Sequence, residues 1–246
     1  MDRLLYVSMS GAQQTMMAQT ANNNNLANAN TTGFRADLNA FRSVPVQGPG
    51  YQSRTYAMIE RASVDFTLGM VRGTDREMDV AVDGDGWIAV QAKDGSEAYT
   101  RAGNLSIQPG GLLVTGDGLP VLGNGGPIAI PDADTIDIGI DGTISIKPIG
   151  SPSTGQVVVD RLKLVKPDST QLFKGEDGLI RLNGGAVADA DASVRVISGS
   201  LETSNVNTVN ALVNMISLSR QYESQIKMMK QAGDLEASSD QLLRLG

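Results

Sequence analysis

Near both ends of the chain, apolar and small residues recur at alternating steps of three and four. Between Val206 and Met229 the series is Leu212, Met215, Ser219, Tyr222, Ile226 and Met229, running on to Gly233; near the other end it is Leu5, Met9, Ala12, Met16, Gln19, Asn23 and Leu26. That spacing puts each series on one stripe of an α-helix. It predicts a helix from about Leu4 to Ala29 and a second that starts from an N-cap at Ser204 or Asn205. Asn210, Asn214, Ser217, Arg220, Gln221, Glu223 and Lys227 fill much of the rest of the second helix. Its stripe is therefore narrow, like a seam that meets a partner, with Val209, Val213 and Ile216 widening it toward the start. Helices of this length are marginal in water without packing, and the first ends in the poor helix formers Asn22 to Asn25, so contacts must supply the order. Two arrangements meet that need: the helices pair with each other and with neighbours, or both pad the core of one globular domain.

Between the helices the pattern changes twice. Residues 35 to 79 mix charges, apolar residues and turn formers without a sustained period, which reads as an extended connector with one or two short strands. From Val80 onward, short apolar runs alternate with turn dipeptides. Asp83-Gly84-Asp85-Gly86, Asp94-Gly95, Pro109-Gly110-Gly111, Asp117-Gly118 and Asp141-Gly142 each precede such a run, and these are hairpin signals. Ile136, Ile138, Ile140, Ile144 and Ile146 alternate, as do Val158, Leu162 and Leu164, with further strands near residues 179–182 and 194–197. The expected class is α+β: terminal helices pairing as a coiled-coil-like stalk, with a central all-β domain. The expected bounds are 1–34 for the N-terminal helix, 35–79 for the connector, 80–200 for the β body and 201–246 for the C-terminal helix.

Composition excludes much chemistry. The chain has no His and no Cys, which removes His-based triads, thiol nucleophiles and ordinary zinc sites. A net charge of −7 without a basic cluster argues against nucleic acid as a partner. The N-terminus lacks the apolar run of a cleaved signal peptide, and no window approaches the length of a membrane span.

The candidate chemical motifs fail on their own terms. Asp75, Glu77, Asp79, Asp83 and Asp85 form the densest carboxylate group, but a calcium loop starting at Asp83 would place Trp87 where an oxygen ligand is required. Gly123-Asn124-Gly125-Gly126 has the composition of a phosphate cradle without the Lys-Ser or Lys-Thr that should follow. Ser224-Gln225-Ile226-Lys227 has the spacing of an acyl-enzyme motif but lies on the seam helix without companion motifs. The Asn-rich run from Asn22 to Asn30 is the most unusual polar feature. Asparagine is costly to fix in a helix unless both halves of its amide find partners, so the run favours an interface, with a frayed helix end exposed to water as the other reading.

Two stretches carry a resemblance. Asn24-Asn25-Leu26-Ala27-Asn28-Ala29-Asn30-Thr31-Thr32-Gly33-Phe34-Arg35 resembles the N-terminal signature of bacterial flagellar rod and hook proteins. Ser204-Asn205-Val206-Asn207, Met215-Ile216 and Arg220-Gln221-Tyr222-Glu223 resemble their C-terminal one. Within that family the likeness is to proximal rod members, through Met9-Ser10-Gly11-Ala12, Asp85-Gly86-Trp87, Ala98-Tyr99-Thr100-Arg101 and Gly126-Pro127-Ile128-Ala129. The resemblance implies a structural, non-enzymatic subunit of the proximal rod in the basal body, without cofactors, in a rod that crosses the periplasm. It implies helices forming an inner coiled layer around a channel, transmission of torque, and export unfolded through the flagellar type III apparatus. The implied partners are other proximal and distal rod subunits and copies of the same chain, with no nucleic acid and no small-molecule substrate. The implied assembly interface comprises Leu5, Met9, Met16, Asn24, Leu26, Asn28, Asn30, Phe34, Asn205, Leu212, Met215, Tyr222, Ile226 and Met229. Two alternatives stay open: a distal rod or hook subunit, and a secreted glycan-acting enzyme or glycan-binding module with Asp83, Asp85 and Trp87 as its site.

Overall fold

The computed structural model describes residues 3–45, 55–150 and 155–244. The chain forms two compact units: residues 1–29, 37–65 and 206–246 make the first, and residues 30–36 and 66–205 the second.

In the first unit, α1 (Arg3–Ala27) and α2 (Thr208–Arg244) pack along one another. The Asn207 side chain accepts from the Asn210 N–H at 3.0 Å, so Asn207 is the N-cap of α2. The helix therefore starts a few residues later than the capping signals at Ser204 and Asn205 suggest, because Asn205 is engaged elsewhere. No helix among the described residues is long and apolar enough to cross a membrane. Much of the segment expected as a connector is a ribbon of two antiparallel strands, β1 (Asp37–Pro45) and β2 (Thr55–Val64), running from Asp37↔Val64 to Pro45↔Thr55 with an irregularity between Asn39 and Phe41. Tyr56-Ala57-Met58-Ile59 sets four apolar residues in a row, which erases the period-two signal that would have marked a strand.

The second unit is all-β and antiparallel. It opens with β3 (Val71–Gly73), β4 (Val80–Asp83), β5 (Trp87–Gln91) and β6 (Glu97–Thr100). The expected turns join the next strands: β7 (Leu105–Ile107), β8 (Leu113–Thr115), β9 (Leu122–Gly123), β10 (Gly126–Pro127), β11 (Ala133–Ile138) and β12 (Thr143–Pro148). The chain then makes β13 (Val157–Arg161), β14 (Leu164–Val165), β15 (Leu172–Lys174), β16 (Ile180–Leu182), β17 (Arg195–Ser198) and β18 (Ser200–Glu202). The largest sheet has the order β14-β5-β6-β16-β15; β11-β12-β13 form a second, and the others pair two by two. Val80, Ile88, Val90, Leu105, Leu113, Val121, Ile128, Ile144 and Leu162 are buried together where these small sheets converge. Gly123 to Gly126 is the β9–β10 hairpin, with Gly126 paired to Gly123. Unlike the expected 80–200 body, this unit also includes residues 30–36 and 66–79 and extends to residue 205.

Candidate assembly interface

Two arrangements bear on function, one in each unit. In the first, the helices meet through small residues. Ser8, Ala12, Thr15 and Ala18 of α1 are buried, as are Ala211 and Ala232 of α2. The more covered positions of α2 run Ala211, Met215, Leu218, Tyr222, Gln225, Met229 and Ala232, a strict alternation of four and three. Asn22 Nδ2 donates to the Ala211 carbonyl at 2.8 Å and Gln19 Nε2 to Ser219 Oγ at 3.4 Å. A Cβ at Gly11 would stand 3.0 Å from the Gln225 side chain. Rising numbers on α1 meet falling numbers on α2, so the helices are antiparallel and close enough to favour Gly, Ala and Ser at the contact.

The large apolar side chains are mostly left outside. Met9, Met16, Leu212 and Ile226, all of them expected interface residues, are exposed at 49%, 61%, 48% and 41%. Tyr6, Met17, Val209, Val213 and Ile216 are exposed with them. Leu5, Leu26, Met215, Tyr222 and Met229 are half-buried. The 4-3 stripe read from sequence thus splits in two. Its positions 215, 219, 222 and 229 lie at or beside the helix contact, while Leu212 and Ile226 face outward.

Asn22, Asn24, Asn25 and Asn28 of the Asn run find partners within the first unit. Asn25 donates from Nδ2 to the Asp37 carbonyl at 2.9 Å and accepts at Oδ1 from the Asp37 N–H at 2.7 Å, pairing with the start of β1 as a strand would. Asn24 Nδ2 reaches the Asp37 carboxylate at 2.7 Å, and Asn28 Nδ2 bonds back to Asn24 at 2.9 Å. Asn24 and Asn30 are exposed and Asn28 half-buried. The unit carries eight basic and eight acidic residues, whereas the second carries twelve and nineteen, so the whole net charge of −7 belongs to the β body.

In the second unit the two signature stretches are fastened to each other. Glu202 is fully buried and its carboxylate takes three donors: Arg35 Nη2 at 2.6 Å and the Gly69 N–H at 2.7 Å on one oxygen, Arg101 Nη1 at 2.8 Å on the other. Its carbonyl accepts from the Gly33 N–H at 2.9 Å. Both guanidiniums lie over Trp87, 5.7 and 5.3 Å from the ring centroid, and Phe66 meets the ring edge-on at 5.9 Å. Arg35 Nε and Nη1 and Arg101 Nε have no hydrogen-bond partner, and the negative face of the indole compensates for two cations sharing one carboxylate. Burial pulls the Arg101 guanidinium below its ordinary value, with Glu202 opposing the shift.

Asn205 completes the arrangement. Its Oδ1 accepts from the Ala36 N–H at 2.8 Å, its Nδ2 donates to the Thr67 carbonyl at 3.1 Å, and its own N–H points to the Phe34 carbonyl at 3.4 Å. Phe34 is half-buried beneath Lys174, whose ammonium is 3.9 Å from the ring centroid. Gly33 has φ of 68°, and a Cβ there would collide with the Arg101 backbone, so only glycine fits. Phe34 and Asn205, expected at an interface between subunits, thus hold the body of one chain together. Sequence reasoning missed Glu202 as the hub; the available signal was a lone carboxylate between the β body and the second signature.

The glycan alternative loses its platform here. Trp87 is buried, its ring covered by Phe66 and the two arginines, and offers no face to a sugar. Asp83 and Asp85 are exposed, while Asp79 is buried against Thr74 Oγ1 at 2.8 Å.

Comparison with known proteins agrees over the full length. Residues 197–242 match the family model "Flagellar basal body rod FlgEFG protein C-terminal", and residues 81–146 match "Flagellar hook protein FlgE/F/G D1 domain". The chain is 44% identical to the flagellar basal-body rod protein FlgF of Salmonella typhimurium and equally to that of Escherichia coli, covering 100% of each chain. It is 34% identical to FlgF of Caulobacter vibrioides over 97% of each chain, and 32% identical to the rod protein FlgG of Bacillus subtilis over 95% of this chain and 96% of that one.

Proposed function

The chain belongs to the family of flagellar basal-body rod proteins and is a structural subunit of the proximal rod; from that premise we propose that its two terminal helices are the surfaces through which it joins its neighbours. It sits in the rod of the basal body and assembles with other rod and hook proteins. Copies of the chain and of proximal and distal rod subunits pack α1 and α2 into an inner coiled layer around a narrow channel, and the rod so built transmits torque across the periplasm. The chain reaches its place unfolded, through the flagellar type III export apparatus.

One observation carries this reading. Met9, Met16, Leu212, Val213, Ile216 and Ile226 stay exposed although the helices already contact each other, which leaves apolar surface for other chains to cover. The charge neutrality of the helical unit favours the same use, because copies can approach through it without net repulsion.

The absence of native cysteine makes the test clean. A single cysteine at Leu212 should react freely with a maleimide in the purified chain. In intact basal bodies it should be shielded and should crosslink to an adjoining rod subunit. Equal reactivity in both states would show that this face stays open to water, and the assignment would fail.

A further inference from the structure

All four points where the chain passes between its two units, at residues 29–30, 36–37, 65–66 and 205–206, adjoin three short segments of the second unit. These segments, 30–36, 66–73 and 200–205, are bonded chiefly to one another. Gly33 donates to the Glu202 carbonyl, Gly69 to the Glu202 carboxylate, Thr203 to the Met70 carbonyl and Ala36 to Asn205. Val71 pairs with Glu202 in the β3–β18 ladder. The apolar core instead lies among β4 to β14 with Leu179, Val194 and Val196, and none of its buried members belongs to the three segments.

We infer that residues 30–36, 66–73 and 200–205 form one cooperative strap, which opens and closes as a unit independently of the β core, with the Glu202 carboxylate as its latch. The physical reason is shared dependence. Each segment bonds directly to Glu202, so no segment can leave without stranding a buried charge or a backbone donor of another. The strap buries polar contacts more than apolar ones, and such regions are where sub-global opening falls below global unfolding. Arg101 anchors the latch to the body by donating to both Glu202 and the Gly84 carbonyl at 2.6 Å. A strap of this kind lets every chain crossing rearrange together while the body stays folded.

Residue-resolved hydrogen exchange on the full chain tests this. In the unaltered chain the amides of Gly33, Gly69 and Thr203 should exchange through one common opening, faster than Leu113, Val121 and Ile128 in the core. Glu202→Gln leaves two buried guanidiniums without a counter-charge and should accelerate the three strap amides together, on the order of a hundredfold, with the core amides little changed. Asn205→Ala is the milder variant and touches neither Gly33 nor Gly69. It should still accelerate both, in step with Ala36. Acceleration confined to Ala36 in that variant would overturn the inference. So would equal loss of protection in strap and core in Glu202→Gln.

Discussion

Replacing Ile226 by aspartate separates the contact that holds the two helices together from the contact that joins one subunit to the next. Ile226 is 41% exposed, so the lone chain has already gained most of what its burial offers. Full burial of such a side chain is worth about 1.5–3 kcal/mol, which leaves roughly 0.6–1.2 kcal/mol to be gained when a neighbour covers it. An aspartate at that place keeps its water in the lone chain but must shed it in the assembly, at a cost of at least about 2 kcal/mol. Together these weaken each subunit contact by about 3 kcal/mol, or about two orders of magnitude in association constant. Ile226→Asp should therefore cost the lone chain only the burial already realised, about 1–2 kcal/mol, with its helical circular dichroism retained, and give cells that do not swim because their rods stop short. Ala12→Asp is the opposing control. Ala12 is buried at the helix contact, so a carboxylate there should melt the helix pair in the purified chain. Normal motility and intact rods in Ile226→Asp would refute the assignment of an outward-facing joining surface; loss of helix content in that variant would refute the division between inner and outer faces.

Three further outcomes are expected. Gly33→Ala must force a side chain into a left-handed backbone and into the Arg101 carbonyl, so the body should lose about 2 kcal/mol or more in urea titrations followed by Trp87 fluorescence. Asn25→Ala removes both bonds to the Asp37 backbone and should cost about 1–2 kcal/mol of local stability, read as faster exchange of the Asp37 amide. Burial pushes the Tyr99 hydroxyl up to about 12, against a bond from the Ala188 N–H that works the other way. A phenol whose folded value is raised contributes stability that is complete below its ordinary value of 10.0 and is lost as the pH rises through the folded one. Stability should therefore fall by roughly 2–3 kcal/mol between pH 10 and 12 from this group, and the ultraviolet titration of the folded chain should show one tyrosine ionising last; ionisation of all tyrosines near 10 would contradict the burial argument.

Much of the architecture was legible because it rests on local rules. Asp94-Gly95, Asp117-Gly118 and Asp141-Gly142 all turn as their dipeptides demand, with glycine φ values of 83°, 78° and 83°. Both terminal helices follow from their 4-3 spacing. The choice of inner face did not follow, because hydrophobicity ranks Met9, Met16, Leu212 and Ile226 above Ala12, Ala18, Ala211 and Ala232, while two closely approaching helices select for size. A stripe read by apolarity alone thus merges the contact within the chain with the exposed apolar face proposed for neighbours. The Glu202 cluster was illegible for another reason. Its members come from residues 33–35, 66–69, 87, 101 and 202, too far apart along the sequence for any short window to hold them together. Strands were expected in the connector, but the length and pairing of the β1–β2 ribbon were not legible, because consecutive apolar residues cancel its alternation.

Electron cryomicroscopy of isolated basal bodies, with this subunit located in the density, examines the joining surface directly. Met16, Val213, Ile216 and Ile226 should lie against the helices of adjoining rod subunits, inside the wall that surrounds the channel. Finding these four side chains bathed in solvent, with adjoining subunits touching only through their β bodies, would contradict the account.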